Sequence, residues 1–258
     1  MVEVYKIALP KDKLMAMPEK ERALMMLLGY AANQVNFFTK LVLLSSNQDG
    51  PNEMEQKLSG GQTQMSLRIL IGVLNEAWEL VRKRFLSAPF AKTYRPLLDK
   101  EGVDALARLN KRTGAGGLFS DLRNAWIFHH PDEDGIAEAA CAAALADPMC
   151  DVEWNWYFSP SNYNSFFYPS EMVALHGIAR ILAAQDLIEA QHKLMTSVIG
   201  VATDMNHVVY AIISVLYTKN IGPELLSDAP VDIRTAPSIF DVWVPFFVEV
   251  PDQRPPET

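Results

Sequence analysis

The sequence predicts a mainly α-helical fold: a helical bundle of long antiparallel helices with a small β-hairpin insertion and an extended C-terminal arm. Hydrophobic residues make up 49% and charged residues 21% of the 258 residues, which is typical of a globular chain with a sizeable core. Apolar residues recur at helical spacing over several long stretches, whereas a clear strand-like alternation of aromatic residues occurs near residue 155. We therefore expect helices to form the core and one hairpin to be inserted among them.

Two long helices are predicted in the first third of the chain. Residues 1–10 alternate weakly and predict a short edge strand or arm. Pro18 and the acidic residues after it are typical of a first helical turn, and the helix that they begin is expected to reach about Leu44. Residues 45–61 contain three glycines and a proline, so they predict a loop. A second long helix is predicted over about residues 62–85.

The middle of the chain predicts shorter elements. Short helical pieces are expected over residues 87–112, followed by a glycine-rich break. A helix is predicted from about Phe119 to His129, because Pro131 disfavours helical geometry at the residue before it. Asp132 is expected to cap an alanine-rich helix over residues 135–146. Alternating aromatic and polar residues over about 151–168 predict the β-hairpin.

Two more helices and an arm complete the predicted domain organisation. Helices over about residues 170–191 and 194–217 close a helical domain that spans residues 1–219. The arm, residues 220–258, holds seven of the sixteen prolines and has seven acidic residues against two arginines. The net charge of −8 is therefore concentrated in the arm. This balance argues against a general nucleic-acid binder, although a local basic groove is compatible with it.

The sequence predicts a cytoplasmic protein with no membrane association. The N-terminus lacks the apolar stretch of a signal peptide, and polar residues interrupt the apolar helices over 23–44 and 194–217, so both are expected to be buried core helices. The two cysteines, Cys141 and Cys150, provide neither a disulfide framework nor a zinc motif. No nucleotide-binding glycine loop and no metal-ligand spacing occurs, so we expect no cofactor and no metal.

The candidate catalytic segment runs from Arg123 through Asn124 to His129. An imidazole can transfer a proton near neutral pH, and a guanidinium can hold a phosphate. In the alternative interpretation, Arg123 pairs with an acid such as Asp121, and His129 is favoured at a helix end by the helix dipole. His130 is the alternative to His129 in the catalytic role.

The string Leu122-Arg123-Asn124…Phe128-His129 resembles the signature of the HEPN superfamily (higher eukaryote and prokaryote nucleotide-binding), in which Arg and a polar residue precede His at this spacing. Two long helices before the motif and further helices after it also suit that family. The resemblance implies a metal-independent endoribonuclease of a toxin–antitoxin or defence type, with Arg123, Asn124 and His129 as catalytic residues. The implied partners are RNA, a second copy of the chain and an antitoxin-like protein.

The spacing of the motif favours a dimer. Residues six apart on a continuous helix differ by about 240° in direction, so Arg123 and His129 do not share a helix face. The resemblance implies that two copies of the motif meet across a groove. The basic residues Arg108, Lys111 and Arg112 precede the motif and are candidates for RNA contacts; an ordinary solvated helix end has the same composition. The second functional hypothesis is a non-catalytic helical interaction module that uses the acidic C-terminal arm.

Overall fold

The protein is mainly α-helical and carries one small antiparallel β-hairpin, as predicted. The computed structural model describes residues 4–46, 52–113, 118–122, 126–127, 135–148, 154–157, 164–223, 237–238, 241–242 and 244–247. In chain order, its elements are α1 (Lys11–Ala16), α2 (Glu19–Ser46), α3 (Glu53–Leu80), α4 (Ala91–Tyr94), α5 (Lys100–Thr113), α6 (Leu118–Leu122), α7 (Ile136–Ala146), β1 (Trp156–Tyr157), β2 (Phe166–Phe167), α8 (Tyr168–Ile181) and α9 (Leu187–Asn220).

Helix α9 is the central element of the core, because α2, α3, α5 and α8 all contact it. Its apolar side chains Leu194, Val198 and Val201 are fully buried. Among the described helices it is also the one that is long and apolar enough to cross a membrane, judged by length and composition alone, and half of that stretch is buried inside the protein. The five helices together bury one continuous apolar core.

The predicted loop over residues 45–61 is wrong for its second half, because α3 already begins at Glu53. The side chain of Asn52 accepts a hydrogen bond from the backbone N–H of Glu55 at 3.0 Å, which caps the helix. Gly60 and Gly61 lie inside α3, so their usual effect as helix breakers is overridden by packing. A Cβ atom at Gly61 would lie 2.5 Å from the Phe166 ring, so any larger residue at this position would require the ring to shift. Residues 81–86 continue α3 as a π-helical turn.

The predicted single helix over residues 170–191 is also wrong, because α8 ends at Ile181 and α9 begins at Leu187. Ala183 has a φ of 46° between them. The Asp186 side chain accepts a hydrogen bond from the N–H of Glu189 at 2.7 Å, and the Glu189 carboxylate accepts one from the N–H of Gln185 at 2.5 Å. Each carboxylate accepts a hydrogen bond from a backbone N–H group at the start of α9. These caps favour the start of a new helix at this point.

The remaining boundaries differ less from the predictions. Residues 4–10 were predicted as a short edge strand or arm, and within them Ile7 forms an isolated β-bridge. Helix α1, which the sequence did not predict, follows them. The strands of the hairpin are two residues long, with Trp156 opposite Phe167. Of the predicted helix 119–129, the structure describes α6 and a π-helical pair at 126–127. The predicted cap Asp132 and the cysteine Cys150 lie outside the described residues, whereas Cys141 is a free, half-buried thiol.

Candidate functional site

The predicted catalytic residues Arg123, Asn124 and His129, together with His130, lie outside the residues that the structure describes. The described residues directly before Arg123 and between Asn124 and His129 are part of the packed core. Leu122 in α6 is fully buried. The description resumes at Trp126 and Ile127, which are half-buried and pack against the same core.

Trp126 lies directly against helix α8. The indole occupies the space beside Gly177, where a Cβ atom would overlap the ring. Trp126 therefore needs a glycine at position 177 of α8. Leu122, directly before the candidate segment, and Trp126 and Ile127 within it are therefore held by tertiary contacts.

The predicted RNA contact Arg108 is occupied by carboxylates of its own chain. Its Nε donates to Oδ1 of Asp204 at 2.9 Å, and its Nη2 lies 2.7 Å from Oε1 of Glu101. Both hydrogen bonds raise the pKa of Arg108, and the bond with Asp204 has the larger effect. The guanidinium thus links α5 to the buried Asp204 of α9. The carboxylates of Asp204 and Glu101 balance its positive charge.

The other two predicted RNA contacts are placed differently. Nη1 of Arg112 lies 3.6 Å from Oδ2 of Asp204, and 45% of the Arg112 side chain is exposed. This guanidinium also lies across Gly200, where a Cβ atom would be 2.9 Å from its Nη1. Lys111 is exposed to solvent on α5. Lys111 and, in part, Arg112 are therefore the predicted cations that an external phosphate can reach.

A histidine joins the same set of charges. Nδ1 of His207 lies 3.1 Å from the Glu101 carboxylate. The pKa of Glu101 is lowered, chiefly by its hydrogen bond with Arg108. We call Glu101, Arg108, Arg112, Asp204 and His207 the α5–α9 charge cluster. Its two arginines face two carboxylates, so its charges fix one helix against the other.

A second histidine–carboxylate pair was missed by the sequence reasoning. Nε2 of His176 in α8 lies 3.2 Å from Oδ2 of Asp147, which follows α7. Burial lowers the pKa of His176, and the charge of Asp147 opposes this effect. Both residues line a cavity of about 400 Å³ that also contains Arg180 and Asp186. A neutral imidazole beside a carboxylate can accept a proton, although the described lining contains no serine, threonine or cysteine nucleophile.

Within the described part of the chain, no group of three or more histidine, cysteine, aspartate or glutamate side chains is arranged to hold a metal ion.

Comparisons of the chain with protein-family models, with curated proteins and with solved structures gave no match.

Proposed function

We propose that the protein is a HEPN-like, metal-independent endoribonuclease of the toxin–antitoxin or defence type, located in the cytoplasm. One observation carries the proposal: the string Arg123-Asn124…Phe128-His129 occurs in a helical chain, and the described residues directly before it and within it are packed in the core. Leu122 is fully buried and Trp126 packs on the core. A catalytic segment needs such support, because reacting groups must be held in a fixed geometry.

The proposed chemistry uses the ribose 2′-hydroxyl as the nucleophile. The imidazole of His129 takes the proton from this hydroxyl or returns one to the leaving oxygen. The guanidinium of Arg123 binds the phosphate and stabilises the charge that develops on it. Asn124 orients the phosphate by hydrogen bonding, and His130 is the alternative proton carrier. This chemistry needs no metal ion.

The proposed active form is a homodimer, and an exposed apolar stripe on α2 supports self-association. Met26, Tyr30 and Phe37 are 45%, 62% and 60% exposed, respectively. On an α-helix these positions fall within about 40° of one direction. The neighbouring Tyr210 of α9 is exposed as well. Exposed apolar stripes of this kind mark interaction surfaces, and a two-fold dimer buries the same surface on both copies.

The proposed RNA contacts are Lys111 and Arg112, with Arg108 as a third. Lys111 is exposed, and Arg112 is about half exposed. Arg108 holds Asp204 and Glu101, so we expect its substitution to disturb the α5–α9 packing before it disturbs RNA binding. A charge-reducing change at Lys111 should weaken RNA binding and reduce its salt dependence.

The test is cleavage of single-stranded RNA in the presence of EDTA. Wild-type protein should cleave, whereas Arg123→Ala and His129→Ala should each lose at least about a hundredfold in rate. His192→Ala removes an exposed histidine of α9 and is the matched control, which should keep wild-type activity. His130→Ala separates the two neighbouring histidines. Equal cleavage by all variants, or no cleavage by wild type, would refute the proposal.

The second candidate function is a non-catalytic helical interaction module that uses the acidic arm to bind a partner protein, whereas an antitoxin-like partner belongs to the ribonuclease proposal. The specific observation in its favour is an aromatic contact: the ring of Phe246 in the arm lies 4.7 Å from the ring of Phe166 in the hairpin, centroid to centroid. The arm also carries most of the net negative charge. Such a surface suits a basic protein partner.

Truncation separates the two candidates. The cut belongs after residue 223, because Asn220 donates hydrogen bonds to Glu21 and to the carbonyl of Leu216 and is therefore part of the helical domain. Loss of partner binding or of self-association without residues 224–258, with normal behaviour of the Arg123 and His129 variants, would favour the interaction module. RNA cleavage by the truncated protein would favour the ribonuclease.

A further inference from the structure

The end of the bundle where α3 stops and α4 begins is locally basic. Residues 81–97 contain five cations and no acidic residue: Arg82, Lys83, Arg84, Lys92 and Arg95. At the average of the chain, which has 31 acids in 258 residues, a stretch of this length would hold about two acids. The net charge of −8 thus conceals a positive segment, and local charge of this kind decides what a surface attracts.

Buried side chains hold this segment against the core. Phe85 and Tyr94 are almost fully buried, and Leu98, just after the segment, is buried as well. The hydroxyl of Ser87 donates to the carbonyl of Arg82 at 2.9 Å, at the point where the π-helical turn ends. Because these large side chains face inward, all five cations are exposed to solvent.

Carboxylates of the chain balance little of this charge. Nη2 of Arg82 and Nζ of Lys83 lie 2.7 Å and 2.9 Å from the same oxygen, Oε2 of Glu79. Glu79 therefore balances one of their two charges. The other three cations of the segment form no ion pair with any residue that the structure describes. They are open to an external anion.

A cation from α9 lies beside them. Nζ of Lys219 is 4.3 Å from the centroid of the Tyr94 ring. Lys219 is exposed and, within the described ranges, has no carboxylate partner. Because Tyr94 lies between Lys92 and Arg95 in the sequence, Lys219 adds its charge to theirs. We call Arg84, Lys92, Arg95 and Lys219 the α4 basic surface.

The acids near this surface do not cancel its charge. The carboxylate of Glu21, at the start of α2, accepts hydrogen bonds from the hydroxyl of Tyr94 and from the side chain of Asn220. Glu21 balances one of the four cations. Glu19 and Asp99 are each followed directly by an exposed lysine, which offsets them. The surface therefore keeps an excess of positive charge.

The spread of these cations favours a partner with several negative charges. They come from the π-helical turn, α4, the turn after it and α9, so they suit a phosphate backbone better than a single small ion. Attachment to a membrane surface also requires exposed apolar side chains. Within residues 81–97, Leu97 is the one large apolar side chain with more than half of its surface exposed, at 56%. A nucleic-acid strand needs no such side chain.

We propose that the α4 basic surface binds the phosphate backbone of single-stranded RNA without base preference. The rings of Phe85 and Tyr94 are buried, so they are not free to stack on bases, and the contacts are those of cations with phosphates. Helix α5 begins beside this surface and extends about 16 Å to Lys111, so one strand can contact both ends of the helix. The choice of RNA rests on the proposed ribonuclease function.

The test measures binding rather than cleavage. The probe is a fluorescein-labelled oligo(U) of 20 nucleotides, its affinity is read by fluorescence anisotropy at several salt concentrations, and the protein is the full chain with His129→Ala in EDTA. Adding Lys92→Glu and Arg95→Glu should raise Kd at least about tenfold. The slope of log Kd against log salt should fall by about 1.4, since each phosphate contact on a single strand contributes about 0.7.

The matched control is the pair Lys40→Glu and Arg180→Glu. Both residues are exposed, on α2 and α8, and form no ion pair with the described residues, so the pair changes the net charge by the same amount. It should raise Kd less than about threefold. Oligo(A) should bind as tightly as oligo(U), because phosphate contacts do not distinguish bases.

The proposal is overturned if the two pairs of substitutions weaken binding equally, or if the His129→Ala protein does not bind the probe. It is also overturned if oligo(dT) binds more tightly than both RNA strands, or if polyglutamate displaces RNA at equal charge concentration. Binding to phosphatidylserine vesicles that is lost in the Lys92→Glu/Arg95→Glu protein, without RNA binding, would assign the surface to a membrane.

The outcomes for this surface and for the ribonuclease are separable. Cleavage of RNA by wild type, with an unchanged Kd in the Lys92→Glu/Arg95→Glu protein, would refute the surface alone. Binding that depends on Lys92 and Arg95, in a wild-type protein that cleaves no RNA, would support the surface and refute the ribonuclease.

Discussion

Replacement of Gly102 by alanine tests how closely helices α5 and α9 approach each other. A Cβ atom at position 102 would lie 2.5 Å from the Cβ of Ala211 in α9 and 2.8 Å from the Oδ1 of Asp99. The methyl group of Ala211 cannot rotate away, so the helices would have to separate. The Asp99 carboxylate, which accepts a hydrogen bond from the Gly102 N–H at 2.7 Å, would also have to move.

The expected magnitude follows from three contributions. Overpacking a close contact costs about 1–3 kcal/mol, and disturbance of a helix N-cap costs about 0.5–2 kcal/mol. Alanine gains about 1 kcal/mol over glycine within a helix. The net expectation is a loss of about 0.5–4 kcal/mol in the free energy of unfolding. The shift should also weaken the nearby bond between Arg108 and Asp204, since it joins the same two helices.

The matched control is Gly29→Ala in α2, where no atom lies within 4 Å of the added methyl group. That variant should gain about 0.5–1 kcal/mol from helix propensity alone. Urea unfolding of both variants, followed by far-UV circular dichroism, measures the difference. If Gly102→Ala were stabilised as much as Gly29→Ala, the close approach of α5 and α9 would be refuted.

Three further predictions concern buried groups. Burial raises the pKa of Tyr94 from its usual 10 to about 12. The stability that neutral Tyr94 contributes is therefore present below pH 10 and is lost as the pH rises from 10 to 12. In urea titrations, Tyr94→Phe should lose less stability than wild type over this interval. Burial lowers the pKa of His176 below 6.5 despite Asp147, so its stabilising effect is present above pH 6.5 and declines as the pH falls; an NMR titration midpoint above 6.5 would contradict this. Leu70→Ala at a fully buried position should cost about 2–5 kcal/mol, whereas Ile69→Ala, which is 41% exposed, should change the unfolding free energy far less.

The sequence predicted the helices whose apolar residues repeat regularly, and it missed the boundaries that caps define. The repeat from Leu24 to Leu44 predicted α2 to within two residues at its C-terminal end. The starts of α3 and α9 were missed although both carry a capping signal, Asn52 with Glu55 and Asp186 with Glu189. At α3, Gly60 and Gly61 predicted a loop and concealed the cap at Asn52. The packing of Gly61 depends on Phe166, about 100 residues further along the chain, which local propensity does not reveal.

The pairings around the candidate sites could not be predicted from the sequence for a related reason. Arg108 and Asp204 are 96 positions apart, and a basic residue near a motif does not indicate which acid it will meet. The His176–Asp147 pair likewise depends on how α7 and α8 pack. The catalytic role of Arg123, Asn124 and His129 stays a prediction from the motif.

The position of α9 in the chain has a consequence for biosynthesis. Helices α2, α3, α4, α5 and α8, which contact this central helix, all precede it in the sequence, and the ribosome makes the chain from the N-terminus. Until α9 emerges, the apolar faces of α2, α3, α5 and α8 lack their common partner and remain open to association with other chains. Closure is completed at the far end of α9, where the hydroxyl of Tyr217 donates to the carbonyl of Ala8 at 2.7 Å. Nascent chains arrested before residue 187 should therefore need chaperones to stay dispersed, and release from them should coincide with the synthesis of α9.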